Sequence, residues 1–454
     1  MKDGPDAVAE FDGLKLGDLR RAARAQMAVL AMQTDPAASF PQAMGSIAAR
    51  EGFYRLVNNE AVDVQELIGP HAERSVERMR TRTERPIIAI DKTQFVFDGE
   101  DEREGLERLS PNTQGLTAFF ALAVSPSRRT HGVVAMQPLD GKGRSSADEW
   151  SAFVDEAGHL SERAKLRPIY VMDQEAGAYA LFCKLCEQQR DFVVRVSWDR
   201  VVKEFQGKLP EPFRDVASRA PIALTRDVQL SRRTSGGKSG KQRQRHPPRS
   251  TRKAELVVRA CTITMPRPEM PSLARLVPEL NLQLVHVSER RAPAGQPAVE
   301  WFLVTPLPIG NVDSVEAIVD AYRARWSIEE YFKALKTGCA YEQRQLESRH
   351  ALLNALGLLI PLAWRLLELR TLAEDAPDTS AADVLEPDEL HVLRTLSKDV
   401  KLGPTPSVSD VLLAVASVGG HIKQNGRPGW QVLYRGWRKL QTYVDGYRLA
   451  KSEM

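Results

Sequence analysis

Several features are scarce or absent in this 454-residue sequence, and each absence excludes a class of protein. The four cysteines, at 183, 186, 261 and 339, do not form a disulfide framework. Cys183 and Cys186 make a lone C-x-x-C with no second pair and no histidines at ligand spacing, so we expect thiols in a reducing compartment rather than a zinc site. The N-terminus MKDGPDAVAEF is acidic and lacks the apolar core of a secretory signal.

Long apolar runs are also missing. The longest, ALLNALGLLIPLAW at 351–364, is too short to span a bilayer and contains Asn354, Gly357 and Pro361, so we expect a buried helix and no membrane partner. Excess charge of one sign is absent, because 63 Lys plus Arg face 59 Asp plus Glu, a net of +4. Total charge therefore does not indicate a partner, and the length predicts two to three domains.

One segment has no acidic residue. Residues 231–253 carry nine Lys or Arg, too polar to pack, and we expect a mobile loop. It is either a solvated surface hairpin or a loop that follows DNA phosphates. Its GGKS lacks the upstream glycine of a P-loop, since Arg232 stands there, which excludes that nucleotide-binding motif.

Two stretches repeat one pattern: RPIIAIDK and RPIYVMDQ each have four apolar residues followed by Asp, at Asp91 and Asp173. Such runs are typical of strands buried on both faces. Because Asp is costly to bury, both aspartates should lie where their strands leave the core. The alternative is that each Asp opens a loop or caps a helix.

Periodicity divides the chain into regions. Residues 14–80 have helical spacing, 86–197 alternate strands with helices, and about 199–300 has short strands with Pro and Gly. A long helix is predicted from about 313 to 337, followed by an apolar helix at 351–370 and a last helical region. This order predicts a mixed sheet with helices packed against it.

The long helix carries an unusual polar stripe. Tyr322, Arg325, Glu329 and Lys336 fall within about 60° of arc at about 100° per residue. They form either an exposed face with salt-bridge support or part of a site. Two aspartates and a helical glutamate would supply the oxygen ligands that hard divalent cations prefer, with basic side chains nearby for phosphate.

These motifs resemble the insertion-sequence-four family of DDE transposases, in the branch of the transposon-five transposase. The resemblance rests on Asp91 followed by Lys-Thr, Asp173 followed by Gln-Glu-Ala, and the signature Y-x2-R-x3-E-x6-K that begins at Tyr322. It covers almost the whole chain, from LGDLRRAAR near the start to GWQVLYRGWRKLQTYVDGY near the end. One departure is Lys92, where the family commonly has a small hydroxyl residue.

The resemblance implies an α/β (α+β) fold. The expected RNase H-like catalytic core has a β-rich insertion at about 199–300 and is flanked by N-terminal and C-terminal helical domains. The implied domains are an N-terminal DNA-binding domain at 1–70, the catalytic domain at 71–365 and a C-terminal dimerisation domain at 366–454.

The resemblance also implies site residues and cofactors. Asp91, Asp173 and Glu329 would be the catalytic metal ligands, holding two Mg²⁺ ions per active site, with Mn²⁺ as a substitute. The implied DNA contacts near the scissile phosphate are Tyr322, Arg325 and Lys336. Lys333 is nominated as a further DNA-binding residue, and Trp326, which lies off the stripe, would either stack on a base or simply pack. Trp301 would stack on a flipped base, or else be a half-buried strand aromatic. In the N-terminal region we nominate Arg20, Arg21 and Arg24.

The implied function is cut-and-paste transposition. Water would nick one strand, the 3′-hydroxyl would form a hairpin that water reopens, and the 3′ ends would join target DNA. The partners would be double-stranded DNA and a second copy of the chain, in the bacterial cytosol with the nucleoid. The alternatives are a domesticated or defective descendant that binds ends without cutting, and a general RNase H-like nuclease. A dehalogenase-type phosphatase is disfavoured because Asp91-Lys-Thr is not D-x-D.

Overall fold

The computed structural model describes residues 7–99, 101–140, 146–197, 200–204, 207, 209–230, 249–375, 377–422 and 428–452. The chain divides into two compact units, which are described separately. The first contains the described residues of 1–143, 156–166 and 326–454, and the second contains those of 144–155 and 167–325.

The helices, in chain order, are Leu19–Thr34 (α1), Phe40–Ala43 (α2), Ile47–Val57 (α3), Val64–Arg80 (α4), Ser146–Arg163 (α5), Tyr179–Glu187 (α6), Phe213–Arg219 (α7), Val312–Ala324 (α8), Trp326–Lys333 (α9), Arg349–Asp375 (α10), Pro387–Leu396 (α11), Val408–Val418 (α12) and Trp430–Ser452 (α13). A π-helical turn covers Ala334–Gly338.

The strands are Ile87–Asp98 (β1), Glu107–Ser110 (β2), Thr113–Val124 (β3), Thr130–Leu139 (β4), Ile169–Met172 (β5), Asp191–Val196 (β6), Val201–Glu204 (β7), Glu211–Pro212 (β8), Ile222–Leu230 (β9), Arg252–Pro266 (β10), Glu279–Glu289 (β11) and Glu300–Thr305 (β12).

The first unit contains antiparallel strands in which β3 pairs with β1, β2 and β4. The first four residues of β1 are buried, whereas burial alternates after Thr93, so that Phe95 and Phe97 lie inside and Gln94 is exposed. One face of β1 is therefore covered along its whole length and the other opens toward its end.

The helical N-terminal region of this unit confirms the prediction for residues 14–80. Helices α1, α3 and α4 begin after Asp18, Ser46 and Asp63, and each of these side chains accepts a backbone N–H of the first turn. Such caps satisfy donors that a helix start leaves unpaired.

Helix α10 is the apolar core helix of the first unit. Its segment Arg349–Glu368 is apolar and long enough to cross a membrane, yet 83% of the most apolar stretch is buried inside the protein. Asn354 is buried in it and donates to the carbonyls of Val57 and Val62 at 3.0 and 3.1 Å. The predicted buried helix is therefore confirmed, because its polar residue is satisfied internally.

The C-terminal helices α11, α12 and α13 share an apolar cluster. Its buried members include Leu393, Val411, Val415 and Leu440. The mixed α/β composition with helical N-terminal and C-terminal regions agrees with the predicted fold class.

The second unit contains a mixed sheet. Strands β5 and β6 are parallel, with helix α6 between them in the chain, and β6, β12, β11 and β10 follow as antiparallel neighbours. Strand β10 also pairs with β9 and β7. Helix α8 packs against β5, β6 and β9. The parallel pair fits a strand–helix–strand connection, whereas the long antiparallel strands form the β-rich part.

Two sequence predictions about element bounds are wrong. Strand β1 does not end at Asp91 but continues to Asp98, because Phe95 and Phe97 bury on the same face and β3 pairs with every residue of β1. The predicted helix at 313–337 is divided into α8, α9 and a π-helical turn, in which the N–H of Cys339 bonds the carbonyl of Ala334 at 2.7 Å. No Pro or Gly causes the break at Arg325, and we have no physical account of it.

Most of the predicted basic loop, residues 231–248, lies outside the described residues. Its last residues are not a loop: Arg252 and Lys253 belong to β10, paired with Leu230 and Gln229 of β9. Arg252 makes a buried 2.7 Å ion pair with Glu289, so at least this arginine of the cluster is structural.

Candidate active site

Asp91 and the helix that carries Glu329 lie on one face of the sheet in the first unit. Phe120 of β3 is the cross-strand partner of Asp91, and directly opposed residues point to the same face. The rings of Tyr331 and Phe332 on α9 lie 6.0 and 5.5 Å from that of Phe120. Helix α9 therefore packs on the Asp91 face of β1.

The carboxylates of Asp91 and Glu329 are both half-buried. One oxygen of Asp91 accepts the backbone N–H of Lys92 at 2.9 Å. Helix α9 is fixed to the core by Tyr331, whose hydroxyl is buried and donates to the carbonyl of Ile360 at 3.2 Å. Burial raises the pKa of Tyr331 well above its ordinary value, so this phenol stays protonated and keeps its bond.

Lys336 of the π-helical turn reaches the same strand. Its Nζ donates to the carbonyl of Gln94 at 2.5 Å, lies 5.3 Å from the ring centre of Phe95, and is 3.4 Å from a carboxylate oxygen of Glu342. The same oxygen of Glu342 accepts the backbone N–H of Val96. The Glu329 helix and Lys336 therefore both lie against the strand of Asp91, and Lys336 reaches it from a π-helical turn.

Lys92, the departure from the family pattern, belongs to the opposite face of β1. Successive strand residues alternate in direction, and its cross-strand partner is Phe119, whose ring centre is 6.0 Å from its Nζ. Its charge is therefore directed away from the face on which α9 packs.

Trp326 and Lys333 occupy the outer side of α9. Trp326 is 49% exposed, and the Nζ of Lys333 lies 5.4 Å from its ring centre. Lys333 also pairs with Glu330 at 2.6 Å. An exposed indole beside a lysine suits stacking and phosphate contact.

In the second unit, Asp173 lies directly after β5, which confirms its predicted position at a strand end. It is half-buried and accepts the backbone N–H of Glu175 at 2.9 Å, so it also caps the short helical turn that follows. The two interpretations given to this residue, strand-end carboxylate and cap, are therefore compatible.

Tyr322, predicted on a polar stripe, is instead only 6% exposed. Its ring lies 5.4 Å from that of Trp301, edge to face, and the Arg325 guanidinium lies 5.9 Å from its centre. Burial raises the pKa of the Tyr322 hydroxyl, and the charges of Arg325 and Arg195 oppose the shift. Tyr322 therefore does not belong to an exposed face of α8, because the helix packs against the sheet at this position.

Arg195 was missed by the sequence reasoning. Its bond and charge oppose the rise in the pKa of the Tyr322 hydroxyl, whereas the charge of Asp173 adds to that rise. The signal was a single arginine inside the apolar strand FVVRV.

The nominated N-terminal arginines lie in the first turns of α1. Arg20 pairs with the capping Asp18 at 3.1 Å and its side chain is 83% exposed. Arg21 donates to the carbonyl of Leu16 at 3.0 Å, and Arg24 is exposed. Arg20 and Arg24 are thus accessible to DNA, whereas Arg21 is partly committed to a structural bond.

The donor types suit a hard cation. Asp91 and Glu329 in the first unit and Asp173 in the second offer only carboxylate oxygens, the ligands that Mg²⁺ prefers. Among the described residues, no group of three or more His, Cys, Asp or Glu side chains is gathered closely enough to hold an ion. The residues therefore fit Mg²⁺ in two respects: their donors are carboxylate oxygens, and α9 packs on the Asp91 face of β1.

Residues 83–364, more than half of the chain, match the family described as Transposase DDE domain, and the chain belongs to the DDE transposases. Residues 7–62 match Transposase DNA-binding and residues 361–454 match Transposase Tn5 dimerisation domain. Together the three matches make it a Tn5-type DDE transposase, with DNA-binding and dimerisation regions.

Among solved structures, the chain is similar to a piggyBac transposase synaptic complex with hairpin DNA, determined by cryo-EM. The identity is 10%, the alignment covers 95% of this chain and 73% of that chain, and the TM-score is 0.37. A likeness of this degree carries no argument about the present protein.

Proposed function

We propose that this transposase works by cut and paste. It cleaves transposon ends by metal-dependent hydrolysis, forms and opens a hairpin, and joins the 3′ ends to target DNA. The observation that carries the proposal is the packing of α9 on the Asp91 face of β1, because this places the helix of Glu329 beside the strand of the first aspartate.

The proposed catalytic residues are Asp91, Asp173 and Glu329, which would hold two Mg²⁺ ions, with Mn²⁺ as a substitute. When bound, the ions would activate a water or a 3′-hydroxyl and stabilise the leaving oxygen. Asp91 is oriented by the backbone N–H of Lys92, and Asp173 by that of Glu175. Both carboxylates are half-buried.

Further residues are proposed to contact DNA. Lys336 and Arg325 would bind phosphates near the scissile bond, since lysine and arginine form charge-assisted bonds with phosphate oxygens. Trp301 would stack on the flipped base, and Tyr322 would orient Trp301 and Arg325. Trp326 and Lys333 would contact the end from the exposed side of α9, and Arg20, Arg21 and Arg24 from α1.

The domain bounds 1–70, 71–365 and 366–454 are part of the proposal. Each subunit of a homodimer would bind one end and cut the other, in a synaptic complex that later captures target DNA. The reaction would take place in the bacterial cytosol, in association with the nucleoid.

A cleavage assay tests the function. Purified protein and Mg²⁺ would be incubated with end-labelled DNA from the flanks of its own gene, beside an Asp173→Asn variant. Denaturing gels would show nicks and hairpin ends for the wild type and neither for the variant. Binding without cutting by the wild type would contradict the proposal and favour a defective or domesticated descendant.

A further inference from the structure

Glu330, the neighbour of Glu329 on α9, is the centre of a polar cluster. Its Oε2 accepts from Nη1 of Arg370 at 3.0 Å and from Nε1 of Trp430 at 3.1 Å. Its Oε1 accepts from Nζ of Lys333 at 2.6 Å. Arg370 lies on α10 and Trp430 begins α13, so one carboxylate joins three helices of the first unit. We name Glu330, Arg370 and Trp430 the C-terminal clamp.

The side chains of the C-terminal clamp are mostly buried. The side chains of Glu330 and Arg370 are 21% and 15% exposed, and the Arg370 guanidinium lies 4.7 Å from the ring centre of Trp430. Three donors, from Lys333, Arg370 and Trp430, hold the Glu330 carboxylate, and the bonds from the two cations are charge-assisted.

A glycine permits the close packing beside the clamp. A Cβ placed on Gly338 would lie 3.1 Å from Cδ1 of Leu366 and 3.8 Å from Cε3 of Trp430. The first distance is tighter than ordinary side-chain contacts, so only glycine lets Leu366 approach without displacement. The clamp thus holds α9, and Gly338 ends the π-helical turn against the same helices.

The position of α9 depends on such contacts. It has eight residues, and helices this short are not stable by themselves. On its inner side Tyr331 and Phe332 contact the sheet, and on its other side Glu330 is bound by α10 and α13. Loss of the second set would leave α9 held only by the ring contacts of Tyr331 and Phe332 and by the Tyr331 bond to Ile360, among the contacts named above.

We propose that Glu330 is a positioning residue, which with Arg370 and Trp430 fixes α9 and so sets the place of Glu329 for cleavage. The inference rests on the proposed function of Glu329. Arg370 and Trp430 lie inside the segment matched to the dimerisation domain. The inference therefore adds that this segment affects the cleavage site of its own chain.

The test compares Glu330→Gln and Trp430→Phe with the wild type. Gln keeps the volume but loses the charge that binds Arg370, and Phe keeps a ring but loses the N–H. For both we expect cleavage to slow by about 10–100-fold, the usual effect of residues that orient metal ligands. The Mg²⁺ concentration for half-maximal cleavage should rise, end binding should stay near that of the wild type, and the double variant should lose less than the two losses combined.

Glu368→Gln is the matched control. Glu368 is also buried on α10, and its carboxylate accepts from Arg129 and Thr130 at 3.1 and 2.7 Å, away from α9. We expect it to lower the unfolding temperature while the Mg²⁺ dependence of cleavage is unchanged. Equal losses of cleavage in Glu368→Gln and Glu330→Gln, or unaltered Mg²⁺ dependence in Glu330→Gln, would overturn the proposal.

Hydrogen exchange supplies a readout that does not need cleavage. In Glu330→Gln, peptides from 326–338 should exchange faster than in the wild type, while peptides from α4 should not change. If the wild type cuts no DNA but this difference is found, the proposed function fails and the clamp stands as a structural device. If exchange at 326–338 is unaltered, the positioning role is wrong whatever the cleavage result.

Discussion

The rings of Trp301 and Tyr322 meet edge to face with their centres 5.4 Å apart. Tyr322, the first residue of the signature, therefore supports Trp301, the residue proposed to stack on a flipped base. Such a pair contributes about 0.5–1.5 kcal/mol beyond burial and fixes the direction of the indole. The contact links strand β12 to helix α8 within the second unit.

Trp301→Ala should therefore impair the step that requires a flipped base. Since base–aromatic stacking contributes about 1–3 kcal/mol, hairpin formation should slow by about tenfold or more. The first nick should be little altered, because it needs no flipped base. Trp301→Phe keeps a ring that can contact both Tyr322 and the base. Its rate of hairpin formation should lie between those of the wild type and Trp301→Ala. Time courses of nicks and hairpins on denaturing gels give the comparison, and equal slowing of both products would argue against stacking.

Glu329→Gln should abolish cleavage and leave end binding largely intact, because it removes a metal ligand rather than a phosphate contact. The loss should exceed the about 10–100-fold typical of residues that only orient ligands. Gel-shift and cleavage assays on one end fragment measure the two effects, with the exposed Glu347→Gln as control. A fully active Glu329→Gln enzyme would disprove the assignment of this ligand.

Lys336→Ala should weaken end binding at every DNA sequence and reduce the slope of log affinity against log salt by about one. The bond to the Gln94 carbonyl places the ammonium beside the strand of Asp91, where a phosphate would have to lie. Fluorescence anisotropy at several salt concentrations measures the slope, with the exposed Lys398→Ala as control. Unchanged affinity and slope would make Lys336 a purely structural lysine.

Lys92→Thr, which restores the hydroxyl residue common in the family, should have little effect on cleavage. Lys92 belongs to the face of β1 opposite Asp91, next to Phe119. The neighbouring change Asp91→Asn should abolish cleavage under the same conditions. A tenfold or larger change in rate for Lys92→Thr would show that its ammonium does reach the metal ligands.

His131 makes the stability of the first unit depend on pH. Burial lowers its pKa to about 3, and positive charge nearby adds to the shift. The arginines concerned are Arg82, Arg78 and Arg129. Because the folded pKa lies below the unfolded value, the unfolded state binds the proton first. Stability is full above the unfolded pKa and falls as pH drops from about 6.5 toward 3.

The variant His131→Gln should be less sensitive to acid. Its free energy of unfolding should fall by about 1.4 kcal/mol less per pH unit than that of the wild type between pH 6 and pH 4. Urea unfolding at each pH measures the slopes, and the exposed His159→Gln should keep the wild-type slope. Identical slopes for His131→Gln and the wild type would contradict this account.

Much of the fold was predictable because local pattern and burial agree. The apolar run of α10 is buried as predicted, and Asp173 follows β5 where its run of four apolar residues ends. Asp91 follows a similar run, yet its strand continues. The difference arises from Phe95 and Phe97, which add two more buried positions to β1.

The candidate site was predictable in its residue types but not in its arrangement. The stripe on the predicted helix assumed a constant turn, whereas the π-helical turn at Ala334–Gly338 carries Lys336 to Gln94. The burial of Tyr322 also had no local signal, since a tyrosine between Ala321 and Arg323 suits either an exposed or a covered face.

The sequence by itself determined the family, the candidate carboxylates and the order of helical and strand regions, because motif spacing and hydrophobic period are local properties of the chain. Tertiary structure decided which side of β1 each residue occupies, how far that strand runs, and that Glu330 is tied to Arg370 and Trp430. The two outcomes for β1 depend on its pairing with β3, and the bonds of Glu330 join residues 40 and 100 positions apart in the chain. Local patterns do not record such contacts.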